Sequence, residues 1–287
     1  AGTEGDFVTS RHLDERLQRE ILTDVAIVVE ELTTGVGYKV SGRGELHLSI
    51  LIEKMRREGY EFQITCPQVI FKESANGKKL EPYEELTVDV SDEYAGKVIE
   101  KLGMRKGQML EMETERGMTR LKFKVPTRGL LGYRSDFMSD TKGMGQMSYV
   151  FAEYADYAGD MTNRKNGALV SMVTGVTVAF ALFNLQERGD FFLDPGEKIY
   201  EGQIVGENSR DGDLTVNPAK GKQLTNVRAS GTDESVSLIP PRNMSLEDCI
   251  SFINEDELLE LTPKNIRLRK RHLTENDRKR NRLKKAD

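Results

Sequence analysis

The alternation of apolar and polar positions is clearest from residue 84 onward. Leu86, Val88 and Val90 fall on every second residue, the period of a half-buried strand. Ala95, Val98, Ile99 and Leu102 then follow at i, i+3, i+4 and i+7, which is one face of a helix. Two further strands are predicted over 108–114 and 119–125, where Leu121, Phe123 and Val125 alternate, with the turn near Gly117. A short helix around 130–138 and a strand over 146–152 complete the order βαββαβ, the split unit of a ferredoxin-like fold.

The first 70 residues repeat this order with one element missing. A helix over 10–22 carries Leu13, Leu17 and Ile21 on one face, with Ser10 as its N-cap. Strands over 25–30 and around Val36, Tyr38 and Val40 follow. A helix over 43–58 then turns Leu48, Leu51, Ile52 and Met55 inward, and Tyr60, Phe62, Ile64 and Cys66 alternate as a last strand. The result is a ferredoxin-like unit without its leading strand. A sheet short of a strand has an exposed edge, so the chain is expected to be cut from something longer.

SANGKKLEP (74–82) has the composition of a linker, and DYAGDMTNRKNG (156–167) marks a second joint. Beyond it, 168–240 reads as several strands, including two buried ones over GALVSMVTGVTVAFALF (167–183) that meet near Gly175. That stretch is too short and too interrupted to span a membrane. SLEDCISFINEDELLEL (245–261) reads as helical. The fold class is therefore α+β. Two ferredoxin-like domains (1–75, lacking a strand, and 80–155) precede a β-rich C-terminal domain (156–287) with a terminal helix.

Charge changes this picture at one place. Between Lys264 and Lys285 stand eleven Lys and Arg against two acids, whereas the rest of the chain holds 31 basic and 45 acidic residues. An acidic body with a basic arm points to a polyanion, either nucleic acid or an anionic membrane. The two cysteines, Cys66 and Cys249, form no CxxC and fit a reducing compartment. The start of the chain lacks a basic-then-apolar leader, so a cytoplasmic location is expected.

Residue supply removes several chemistries. His12, His47 and His272 are scattered without ligand spacing, and His47 reads as a helix-surface or capping residue. The Asp211-Gly212-Asp213 segment lacks the later positions of a calcium loop and reads as a turn. No GxxxxGK[ST] occurs. GRGELH (42–47) allows either anion binding at a helix N-terminus or only a tight turn. Neither catalytic residues nor a metal site are expected.

Seven segments carry a resemblance. VSGRGELHLSILIEKMRREGYEF (40–62) resembles the third domain of elongation factor G and its relatives among the translational GTPases. EPYEELTVDVSDEYAGKVIEKLGMRKGQMLEME (81–113) and VPTRGLLGYRSDFMSDTKGMGQMSYVFAEY (125–154) resemble that factor's fifth domain. AFALFNLQERG (179–189), YEGQIVGENSRDGDLTVN (200–217), KQLTNVRASGTDESV (222–236) and IRLRKRHLTENDRKR (266–280) narrow it to the BipA (TypA) family.

The resemblance implies a ribosome-dependent GTPase linked to large-subunit assembly and stress adaptation. Its GTP and Mg would sit in a G domain that this chain lacks, so no cofactor is expected here. Implied partners are the ribosome, through large-subunit RNA and the stalk base, and the acceptor end of A-site tRNA. No membrane partner is implied, and the chain is expected to be a monomer. A free-standing RNA-binding or protein-interaction module is the competing reading, and an enzyme acting on RNA a third.

The local chemistry suits phosphate contact. Arg210, Lys220 and Lys222 stand in a bend-rich stretch over 206–224, while Arg228 reads equally as an RNA contact or a structural arginine. Arg128 and Arg134 flank the short helix of the second domain. In the tail, Ile266, Leu268 and His272 alternate in a strand, with Arg267, Arg269 and Arg271 on its other face beside Lys270. Thr274 and Asp277 form a capping box for a basic helix bearing Arg278, Lys279 and Arg280. The tail has no aromatic residue, so it reads phosphates and not bases.

Overall fold

The computed structural model describes residues 2–33, 37–161, 164–221 and 237–286. They form two compact units, one drawing on Ala1–Cys66 and Arg164–Asp287, the other on Pro67–Asn163.

The chain starts with α1 (Ser10–Thr23), β1 (Val28–Glu31), β2 (Tyr38–Ser41), α2 (Glu45–Arg57) and β3 (Phe62–Thr65). The cap of α1 is Thr9, not Ser10, because the Thr9 hydroxyl accepts the backbone N–H of His12. Leu17, Leu51, Met55 and Tyr60 bury together with Ile27 between the two helices and the β1–β2 hairpin. β3 does not join that hairpin. In a ferredoxin-like sheet a leading strand lies between two such pieces; among the described residues no strand does so here.

The second unit holds β4 (Lys72–Glu73), β5 (Lys79–Ser91), α3 (Asp92–Met104), β6 (Gln108–Glu115), β7 (Met118–Pro126), α4 (Thr127–Leu130), α5 (Tyr133–Asp140) and β8 (Gln146–Asp156). Its antiparallel order β8-β5-β7-β6 is that of the split βαββαβ unit, with β4 on the start of β5. The alternating residues do what their period demands: Leu86, Val88, Leu121, Phe123 and Val125 are buried against Val98, Leu102, Tyr133 and Phe137. On the opposite face Lys122, Lys124 and Arg120 pair with Glu111, Glu153 and Asp89, so that face neutralises itself. SANGKKLEP is not a linker: Ser74 and Lys78 close the β4–β5 turn at 2.9 Å and the rest enters β5.

The remainder of the first unit contains β9 (Ala168–Ser171), β10 (Gly175–Val176), α6 (Ala179–Leu185), a 3₁₀ turn (Gln186–Arg188), β11 (Gly189–Phe191), β12 (Lys198–Ile199), β13 (Ile204–Asn208), β14 (Leu214–Val216), α7 (Leu246–Phe252), β15 (Glu257–Leu261), β16 (Ile266–Lys270) and α8 (Glu275–Ala286). Two expectations fail here. Residues 179–185 leave the sheet as a helix, since Ala and Leu favour one and Val178 accepts from both Ala181 and Leu182. Residues 257–261 are a strand, disguised by a Glu257 that is fully buried on an inward position.

β15 carries the fold's main join. It pairs with β16 on one side and with β3 on the other, so residues 62–65 and 257–270 share one sheet. The core beneath combines Leu259, Leu261 and Leu268 with Ile250, Ile253 and, from the N-terminal segment, Ile52, Phe62 and Ile64.

Candidate nucleic-acid interface

Burial sorts the cations of the tail. In β16 the two-residue period turns Leu268 and Lys270 inward together. Lys270 is 2% exposed, and its Nζ lies 2.7 Å from Asp213, 3.0 Å from Asp256 and 2.8 Å from Glu257. Arg164 closes the same cluster from the far side, 2.9 Å from Glu257 and with its guanidinium 3.9 Å above the Phe252 ring. Burial works against the Lys270 charge, yet Glu257, Asp213 and Asp256 outweigh it and hold its pKa above the ordinary value. Lys270 is thus an internal strut and not a phosphate contact.

Arg267 and Arg269 are half-occupied in the same way. Arg267 reaches Glu4 at 2.9 Å, and Glu4 also accepts from Thr262 and Asn265. Those hydrogen bonds, from Thr262 first, then Arg267 and Asn265, hold the Glu4 pKa down at about 2. Arg269 lies 3.0 Å from Glu260 and donates to Gln63 at 2.9 Å. Beyond the strand, Arg271 is exposed.

The cap of α8 is as expected, with the Thr274 hydroxyl accepting the Asp277 backbone N–H at 3.2 Å. Arg278 donates back to the carbonyls of His272 and Leu273 and so clasps the turn before the helix. Lys279 and Arg280 are exposed, with Glu275 at 2.7 Å and Asp277 at 3.9 Å. Exposed pairs of this kind are worth at most about 1 kcal/mol, so a phosphate can displace them.

The bend-rich loop is anchored at its root. The Gly167 N–H donates to the Arg210 carbonyl at 3.0 Å, Asn208 donates to Gly167 at 2.8 Å, and Asp213 accepts from Ala168. A Cβ on Gly167 would lie 1.7 Å from the Gly212 carbonyl oxygen, so only glycine permits this approach. Arg210 and Lys220 are exposed on the result. Lys222 and Arg228 lie outside the described residues.

In the second unit Arg128 is internal. Its Nε lies 2.6 Å from the fully buried Glu81, Nη2 donates to the Gly159 carbonyl, and the guanidinium sits 4.4 Å from the Tyr157 ring. It is a structural arginine, whereas Arg134 on α5 is exposed.

The remaining chemistry is structural. His47 accepts from the Arg43 N–H at Nδ1 and lies 2.6 Å from Asp24 through Nε2, tying the Gly42–Gly44 turn to the α1–β1 connection. Among the described residues no group of His, Cys, Asp and Glu could hold a metal ion. Burial pushes the Cys66 thiol up to about 11 and Cys249 to about 12, which disfavours the thiolate in both. No helix among the described residues is long and apolar enough to cross a membrane. What the sequence reading missed is on α6, where Phe180 and Phe183 are exposed. Taking that stretch as buried strands hid the helical spacing that brings them out.

Two family models match successive parts of the chain. Residues 78–165 match the family described as elongation factor G C-terminus, consistent with their ferredoxin-like sheet. Residues 166–275 match the TypA/BipA C-terminal domain. The large ribosomal subunit assembly factor BipA of Escherichia coli K12 is 53% identical over 289 residues, covering 100% of this chain and 47% of that protein. The same-named proteins of Salmonella typhimurium (53% identical, 97% of this chain, 46% of theirs) and Haemophilus influenzae (51%, 98% and 46%) agree. The chain spans about half the length of these relatives, and over that half it is 51–53% identical to them.

Proposed function

We propose that this chain is the ribosome-binding half of a BipA-type translational GTPase that serves large-subunit assembly and stress adaptation in the cytoplasm. In this reading GTP and Mg belong to a G domain outside the span, and the half described here holds and orients. Ribosomal RNA and the acceptor end of A-site tRNA are its contacts, and the second unit faces the stalk base. The observation that carries the reading is the 53% identity, over the whole chain, to a protein named for large-subunit assembly.

The phosphate-facing set is then Arg210, Lys220, Arg271, Lys279 and Arg280 on the first unit and Arg134 on the second, all exposed. Lys270 and Arg128 drop out because their charges are already held inside the protein. Cations on an anchored turn and a capped helix meet a backbone through counterion release and hydrogen bonds, without base selectivity.

Co-sedimentation with purified large subunits across a salt series tests this. The comparison is the full chain against Lys279→Glu/Arg280→Glu and against a chain ending at Thr274. A cut at Pro263 is unsuitable, since it would remove β16 and its buried Leu268. The expected outcome is salt-sensitive pelleting, with the log–log salt slope reduced by about one for each phosphate that a variant no longer neutralises. Pelleting by all three chains without salt dependence would overturn it.

A further inference from the structure

Two rings on α6 are exposed. Ala181 and Leu182 supply the helix's inward side, 4% exposed each, with Leu182 packed among Leu169, Phe191 and Val205. Phe180 and Phe183, one turn apart, are instead 37% and 40% exposed. Residues at i and i+3 of a helix are neighbours, roughly 5–6 Å apart between Cβ atoms, so the two exposed rings project from neighbouring positions of the helix surface. Asn184 lies on the same side and donates to the Phe180 carbonyl at 2.7 Å.

Cations bracket this surface. At the helix start, the Val178 N–H donates to the Pro218 carbonyl at 3.0 Å, which places the chain two residues before exposed Lys220 beside α6. At the helix end, the Arg188 carbonyl accepts from Ser209 at 2.8 Å, so exposed Arg188 and Arg210 emerge together. Glu187 is the acid nearest in sequence to the rings and is also exposed. Aromatic faces between cations are what a single-stranded nucleic acid requires: bases stack on the rings and phosphates meet the charges. A duplex has no unpaired base to offer, and an apolar protein segment gains nothing from cations at both ends.

We infer that α6 is a stacking platform for unpaired nucleotides, with Phe180 and Phe183 under the bases and Lys220, Arg188 and Arg210 on the flanking phosphates. The inference rests on the RNA-binding reading for the class of ligand and goes beyond it in assigning base contact to α6, outside the basic tail.

Fluorescence anisotropy of the full chain with a short labelled single-stranded polyadenosine RNA, and with a blunt RNA duplex, tests it. The variants are Phe180→Leu/Phe183→Leu, which keep apolar bulk and the helix, and Arg210→Glu; circular dichroism melting verifies that each folds. The expected result is a drop in single-strand affinity of roughly tenfold or more in the leucine variant with duplex binding unchanged. Arg210→Glu should weaken both. Single-strand binding unaltered by the leucine changes would overturn the platform while leaving the RNA reading intact. Absence of binding to either RNA would overturn both. Unaltered RNA binding together with abolished pelleting on large subunits would assign the rings to a protein partner and also overturn the platform.

Discussion

At the scale of single residues, burial decides what a charge is for. Lys270 and Arg271 are neighbours in a basic run, yet one is a strut among three carboxylates and the other is exposed. Replacing Lys270 with Met should remove the ammonium shared by Glu257, Asp213 and Asp256, leaving Arg164 alone to balance Glu257, and cost about 3–5 kcal/mol, read as a lowered urea midpoint. Arg134→Ala should leave the midpoint within about 0.5 kcal/mol. The sequence contained the signal for Lys270, because the alternation that turned Leu268 inward turned Lys270 inward too. What it lacked was the partners, which come from residues 213, 256 and 257. Glu4 gives a pH test at the same scale. Its folded pKa of about 2 lies below the ordinary 4.5, so its stabilisation is complete above pH 4.5 and fades as pH falls toward 2. Glu4→Gln should therefore lower the urea midpoint at pH 6 and converge with the parent chain near pH 2.

At the scale of elements, the legible parts were those whose period matched their burial. β5, α3 and β7 were read from Leu86, Val98 and Phe123, all of which face one core. α6 and β15 were misread because a short apolar run and a buried glutamate carry no clean period. Backbone conformation is the other element-scale lever. The β6–β7 turn puts Arg116 at φ 53° and Gly117 at φ 81°, the pair of positive angles that a two-residue hairpin needs. Gly117→Val should cost about 1–2 kcal/mol. Gly96, exposed within α3, has open space where a Cβ would go. Gly96→Ala should add about 0.4–1 kcal/mol, so the two variants move the unfolding midpoint in opposite directions.

At the scale of the whole molecule, the segment read as a basic arm is three things. β16 is a core strand, the turn after it is clasped by Arg278, and α8 is a capped helix with exposed cations. A chain ending at Thr274 should keep the thermal unfolding of the parent within a few degrees. One ending at Pro263 should lose a cooperative transition in the first unit, because Leu268 and Lys270 leave with β16. Unchanged melting of the shorter chain would show that β15 and β3 suffice as a sheet.

The β3–β15 pairing joins residues 62–65 to residues 258–261. During synthesis, therefore, α1, α2 and β3 wait for almost two hundred further residues before that edge is covered, while the self-contained second unit completes its sheet in the meantime. Within this span β3 gains its sheet partner only once residues 258–261 have been made.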